Sequence, residues 1–207
     1  MTGNQHGEEI VLKTFLTFSD YLRFRFKENR RTTEDSIRYT LFHSFITKLD
    51  LNPTDFEFEV DHPKFSGKKL DTVIASNQIT NGMVFEFKYD HSIPSEASIN
   101  TTNRAGAIFA DIFRIAQYLA VNNDQQGYFV YLTDEIMKNY FQNSAQLRSF
   151  FNLSQGKTLP LNAKDILSYR KSFVTKLEDY PIDCIITNRV SEEITPTTVL
   201  KIYQVTL

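Results

Sequence analysis

Two short stretches built like β-strands carry charge where a buried strand should carry none. Residues 69–74 read Lys-Leu-Asp-Thr-Val-Ile, and residues 83–90 read Met-Val-Phe-Glu-Phe-Lys-Tyr-Asp. Val73 and Ile74 are β-branched, and Val84, Phe85 and Phe87 keep the second stretch apolar, which is strand composition. Between them Ser76 to Gly82 is polar and ends in Asn81-Gly82, a strong turn dipeptide. The pattern predicts a hairpin. Side chains alternate along a strand, so Glu86 and Lys88 share a face, and the hairpin brings Asp71 beside them. Two carboxylates and an ammonium crowded on an apolar hairpin require a reason.

The rest of the chain supplies the frame. Residues 1–7 read as a loose terminus. From Glu8 to about Lys27, apolar residues recur at Ile10, Leu12, Phe15, Leu16, Phe18 and Leu22 with helical spacing, although Leu22 to Phe26 also alternates like a strand. Thr32 or Thr33 caps a second helix, with Glu34 and Asp35 in its first turn and Ile37, Leu41, Phe42, Phe45, Ile46 and Leu49 on its stripe. Glu34 lies one turn before Ile37: it either points inward or only complements the helix dipole. Asn52-Pro53 ends this helix. Phe56, Phe58 and Val60 then alternate with acids as a half-exposed strand. The result is a meander over about 55–61, 69–75 and 83–89.

The chain is polar from Asp90 through Asn103, a loop long enough to suggest function. A helix over about 104–121, with Ile108, Ile112, Ile115 and Leu119 inward, leads to a buried strand at 128–132. Strand, helix and strand form a crossover, so this strand is parallel to the one before it. Helices are expected over 134–141, 144–151 and 162–177. Strands at 183–187 and 199–206, around a Ser-Glu-Glu turn, either extend the sheet or form a dimer contact. No repeat or linker divides the chain. It reads as one domain over 1–207, an α/β fold of three layers (α-β-α) with a mixed central sheet.

Composition sets limits on partners. A net charge of −2 argues against a wholly basic surface but not against a local basic groove. The one strongly basic run, Arg23, Arg25, Lys27, Arg30 and Arg31, either follows a phosphate backbone or is a solvated face. The single cysteine, Cys184, allows no internal disulfide and no cysteine metal cluster, and fits a reducing, cytoplasmic compartment. Glu8 and Glu9 and the lack of a long apolar run give the expectation of no signal peptide and no membrane partner.

The hairpin charges have a chemical reading. Magnesium takes oxygen ligands from one or two carboxylates together with substrate phosphates. Asp71 and Glu86 supply carboxylates, the Phe87 carbonyl between them a third oxygen, and Lys88 a charge to hold an attacking water and stabilise phosphate. The alternative is an Asp71–Lys88 ion pair with Glu86 in solvent.

Asp71, a gap of fourteen residues and then Glu86-Phe87-Lys88 resembles the PD-(D/E)xK nuclease superfamily, which includes many restriction endonucleases. Leu70 stands where that motif has its proline, a departure at its most variable position. The order helix, three-strand meander, helix, strand resembles the family's core from about residue 33 to 133. The resemblance implies a restriction-endonuclease-like core and magnesium-dependent cleavage of nucleic acid, most simply DNA, with manganese as a possible substitute. It implies a catalytic set of Asp71, Glu86, Lys88 and Glu34, with metal held by Asp71, Glu86 and the Phe87 carbonyl. Arg114 and Gln117, on the helix after the third core strand, become supporting residues, and Arg30 and Arg31 candidates for nucleic-acid contact. Such an enzyme often works as a symmetric homodimer.

Other features carry less. Gln155-Gly156-Lys157-Thr158 lacks the first glycine of a phosphate loop, since Phe151 stands there. His43 reads as a packed core histidine, His62 as a surface turn residue, and His91 as a neighbour of the charged strand. No base-stacking platform is legible among the aromatics. Two other functions fit the same residues: a nuclease-fold module that binds nucleic acid or protein without cutting, and an unrelated enzyme acting on a small acidic metabolite in a closed pocket.

Overall fold

The computed structural model describes residues 2–76, 80–91, 100–169, 171–177, 180 and 182–207. Part of the hairpin turn, residues 77–79, and most of the long loop, residues 92–99, lie outside the described residues.

The chain opens with helix α1 (Thr2–Lys27). Residues 2–7, read as part of a loose terminus, lie inside this helix. The strand-like alternation at its end is helical too, because Val11, Phe15, Phe18 and Leu22 make one continuous buried stripe. Helix α2 (Glu34–Leu49) begins with a reciprocal cap: Thr33 Oγ1 accepts the Ser36 N–H at 3.2 Å, and Ser36 Oγ accepts the Thr33 N–H at 2.7 Å. Such a cap is worth about 1 kcal/mol and sets where Glu34 leaves the helix. Asp50, in the left-handed region at φ 52°, ends α2 before Pro53 is reached.

Strands β1 (Phe56–Asp61), β2 (Lys69–Ile74) and β3 (Met83–Tyr89) form the expected antiparallel meander. Helix α3 (Thr101–Leu119), capped by the Asn100 side chain, crosses to β4 (Gln126–Thr133), which runs parallel to β3. Gly127 lets β4 approach this helix closely, since a methyl group there would overlap Ile115 and Leu119.

The C-terminal third departs further from expectation. Helix α4 (Glu135–Asn143) forms, but only Arg148–Phe151 (α5) of the next segment is helical. A strand that the sequence reading missed, β5 (Thr158–Leu161), contains Pro160 and sits at the sheet edge, where a missing N–H is tolerated. The expected helix over 162–177 is two, α6 (Ala163–Ser168) and α7 (Lys171–Leu177). Ser191, Glu192 and Glu193 are no turn. They lie inside the long strand β6 (Cys184–Thr195), each paired with β7 (Thr198–Thr206). Ladder bonding overrides their weak strand propensity, and the real turn is Pro196-Thr197.

The seven strands of the described residues join one mixed sheet in the order β1-β2-β3-β4-β7-β6-β5, so the late hairpin extends the sheet. One face carries α1 and α2 over Phe85, Phe87, Tyr128 and Val130; the other carries α3 to α7 around Val84, Phe129 and Tyr203. This is a three-layer α/β arrangement. No helix among the described residues is long and apolar enough to cross a membrane.

Candidate active site

The site begins where two strands part. β2 pairs with β3 only through Thr72, Val73 and Ile74, while its pairing with β1 continues to Lys69. That register sets Asp71 opposite Glu86, at the point where β2 leaves β3. The edge of β3 beyond is finished by carboxylates instead of a strand. Asp71 Oδ2 accepts the Phe87 N–H at 2.7 Å, and Glu34 Oε2 accepts the Tyr89 N–H at 3.1 Å. The N–H and C=O of one extended residue point the same way, so the Phe87 carbonyl opens into the same gap.

Each layer of helices then contributes an arginine. From α2, Arg38 reaches Asp71 Oδ1 at 3.1 Å and Glu59 Oε1 at 3.0 Å, and lies 5.9 Å over the Phe87 ring. Glu59 has φ 53°, a strained left-handed conformation, in β1 between the Phe58–Thr72 and Val60–Leu70 pairs. From α3, Arg114 donates to Glu86 Oε1 through Nε at 3.0 Å and Nη2 at 2.9 Å, and Nη2 also meets Asp111 Oδ1 at 2.8 Å. His62 braces this helix by bonding the Arg114 carbonyl through Nε2 at 3.1 Å.

Burial sets the protonation chemistry. Glu86 is 1% exposed. That burial pushes its carboxyl well above the usual range despite Arg114, and Asp71 and Asp111 add repulsion. Asp111 rises to about 6 for the same reasons, burial against Arg114. Glu34 is raised by burial, with Lys88 opposing. Burial works against the Lys88 charge, but Asp111, Glu34, Asp90 and Asp71 surround it and hold its pKa above that of an ordinary lysine. Lys88 is therefore a cation at neutral pH, with its Nζ 4.0 Å from Glu34 Oε2.

The structure thus brings Glu34, Asp71, Glu86, Phe87, Lys88 and Arg114 together. Asp71 and Lys88 are not each other's ion pair, and Glu86 is buried, so the alternative arrangement expected from sequence is absent. Gln117 turns elsewhere and accepts from Lys64 Nζ at 2.9 Å. Arg38 and Asp111 went unread as site residues, although each had a signal: Arg38 follows Glu34 by one helical turn, and Asp111 precedes Arg114 by three residues. Two histidines exchange their expected places. His43 is exposed against Tyr21, and His62 is buried under α3, because the turn at Pro63 folds back onto that helix.

Beyond Lys88 the surface opens into a cleft of about 910 Å³ at the carboxyl end of β3. Arg30 and Arg31 line it from the α1–α2 connection, Arg104 from α3 and Lys176 from α7. The aromatic ring of Tyr89 and the imidazole of His91 lie on its floor, stacked at 5.5 Å and 16°. Asp90 accepts from Tyr131 Oη at 2.8 Å and pairs with Arg104 at 3.7 Å.

No three His, Cys, Asp or Glu side chains among the described residues converge to hold a metal. The donors present are the Asp71 and Glu86 carboxylates and the Phe87 carbonyl. These are hard oxygens, chemically suited to magnesium, which usually takes only one or two carboxylates and keeps several waters. A dication there also relieves the repulsion that Asp71 exerts on Glu86. Compared with family models, curated proteins and solved structures, the chain has no match in any of the three.

Proposed function

We propose that the protein is a metal-dependent nuclease with a restriction-endonuclease-like core, an endonuclease of restriction or repair type acting on DNA. The observation that carries this reading is the parting of β2 from β3, with Asp71, Glu34, Glu86 and Lys88 gathered at the gap. Asp71 and Glu86, with the Phe87 carbonyl, would hold magnesium or manganese. Bound there, the metal would supply positive charge to phosphate oxygens and lower the pKa of a nearby water.

The chain's own residues divide the remaining work. Lys88, kept protonated by its carboxylate neighbours, donates hydrogen bonds to the attacking water or to phosphate oxygens and is no general base. Glu34, with its raised pKa, accepts the water's proton. Arg114 neutralises and orients Glu86, and Arg38 does the same for Asp71.

One observation favours a second reading. Both carboxylates already have arginine partners, so the cluster is charge-compensated without a metal. A non-catalytic module that binds nucleic acid or protein fits that state.

Incubating closed circular DNA, double- and single-stranded, with and without magnesium separates the two readings. The nuclease reading expects cleavage only with magnesium, and its loss in Lys88→Ala with unchanged thermal unfolding. No cleavage of either circle, or full activity in Lys88→Ala, would overturn it.

A further inference from the structure

The geometry points to an unpaired nucleic-acid strand, and not a closed duplex, as the molecule that occupies the cleft. This deepens the nuclease reading of the same site.

Charge is the first argument. Arg30 and Arg31 stand on one wall, Arg104 and Lys176 on the other, and Lys88 at the base. Arg30, Arg31 and Lys176 are exposed, and none pairs with a carboxylate among the described residues. Among the described residues the cleft's one acid, Asp90, is 3% exposed and bonded to Tyr131 and Arg104. The surface these described residues offer to solvent is therefore cationic, in a protein of net charge −2. Local charge here, and not overall charge, attracts a polyanion.

Size is the second argument. About 910 Å³ is the scale of a pocket for a drug-sized molecule. It holds a few nucleotides of one strand. A double helix is far larger than that volume and would ride across the mouth of the cleft instead of entering it.

The third argument is the floor. Tyr89 and His91 are stacked two residues apart at the end of β3, directly after Lys88. The exposed His91 face is a shelf for a nucleobase. Its partners in that role are a cationic groove and flat rings, the two parts that non-specific single-strand sites combine. A paired base inside a duplex presents no face to such a shelf. The strand would lay its backbone between the basic walls, a base on His91, and the adjoining phosphate toward Lys88.

The test measures binding without chemistry. Fluorescence anisotropy in EDTA compares a labelled single-stranded DNA, the same sequence as RNA, a closed hairpin duplex and a mononucleotide competitor. Expected is single-strand binding at least about tenfold tighter than hairpin binding, weakened roughly tenfold by His91→Ala. The double variant R30A/R31A should reduce the slope of log affinity against log salt by about 1.4. The DNA and RNA arms show which backbone is preferred. Equal or tighter binding of the hairpin overturns the inference, as does an unchanged salt slope or equal competition by the mononucleotide. Single-strand binding without magnesium-dependent cleavage would sink the nuclease reading and leave this one standing.

Discussion

Asp71 Oδ2 takes the backbone N–H of Phe87 at 2.7 Å, so a side chain replaces the strand that would otherwise pair there. Glu34 repeats the device two residues on, at Tyr89. Asp71, one of the two carboxylates a metal would need, is also one of the two acids that finish the edge of β3, and the gap it fills exists because β2 pairs with β3 only from Thr72 onward. Structure and chemistry therefore share these residues, which allows them to be separated by substitution.

Asp71→Ala leaves the Phe87 N–H without its acceptor and Arg38 without one of its partners. A loss of about 2 kcal/mol is expected, read as a lower urea midpoint at unchanged m-value. Asp71→Asn keeps an oxygen for that N–H and should lose less than half as much. Equal losses would show that pairing with Arg38, and not capping of the strand edge, is what Asp71 contributes.

Arg114→Ala strands Glu86, whose side chain is 2% exposed. Removing one partner of a buried pair costs about 3–5 kcal/mol. Because a dication can take the guanidinium's electrostatic place, magnesium should raise the unfolding temperature of this variant more than that of the parent. Adding Glu86→Gln should abolish that response. A variant indifferent to magnesium would remove Glu86 from the metal set.

Lys201 tests the burial account away from the site. It is 5% exposed, donates to Ser191 Oγ at 3.0 Å and lies 5.0 Å over the Phe151 ring. Burial lowers its pKa from 10.5 to about 8. Below about pH 8 both folded and unfolded chains carry the proton, and the folded protein bears the full cost of the charge. Between about 8 and 10.5 the folded protein sheds the proton while the unfolded chain keeps it, so stability rises with pH. The gain is on the order of 3 kcal/mol. Parent minus Lys201→Met, followed by thermal unfolding across that window, should show the rise, and tyrosine ionisation cancels in the difference. A flat difference would mean Lys201 is solvated.

Much of this was written in local pattern. The meander, the parallel strand β4 and a cap at Thr32 or Thr33 follow from alternation, helical spacing and capping chemistry, which need only neighbours in sequence, whereas the direction of Glu34 stayed open until the layers packed. The convergence of Asp71, Glu86 and Lys88 was legible for the same reason, since a hairpin register brings them together. The late strands were placed, but their ends were not. Ser191 to Glu193 carry turn residues, and only pairing with β7 makes them strand.

What the linear chain determined by itself was the order of elements from α2 through β4 and the charged hairpin at their centre. What only the tertiary structure decided was the partner of each charge. Arg38 and Arg114 arrive from opposite layers of the fold, thirty-three residues before Asp71 and twenty-eight after Glu86. Burying His62 was likewise a matter of which helix the turn at Pro63 folds against. Local periodicity is set by steric preferences along a few residues. The pairing of buried charges is set by desolvation and Coulomb energy between groups that meet only once the layers have packed.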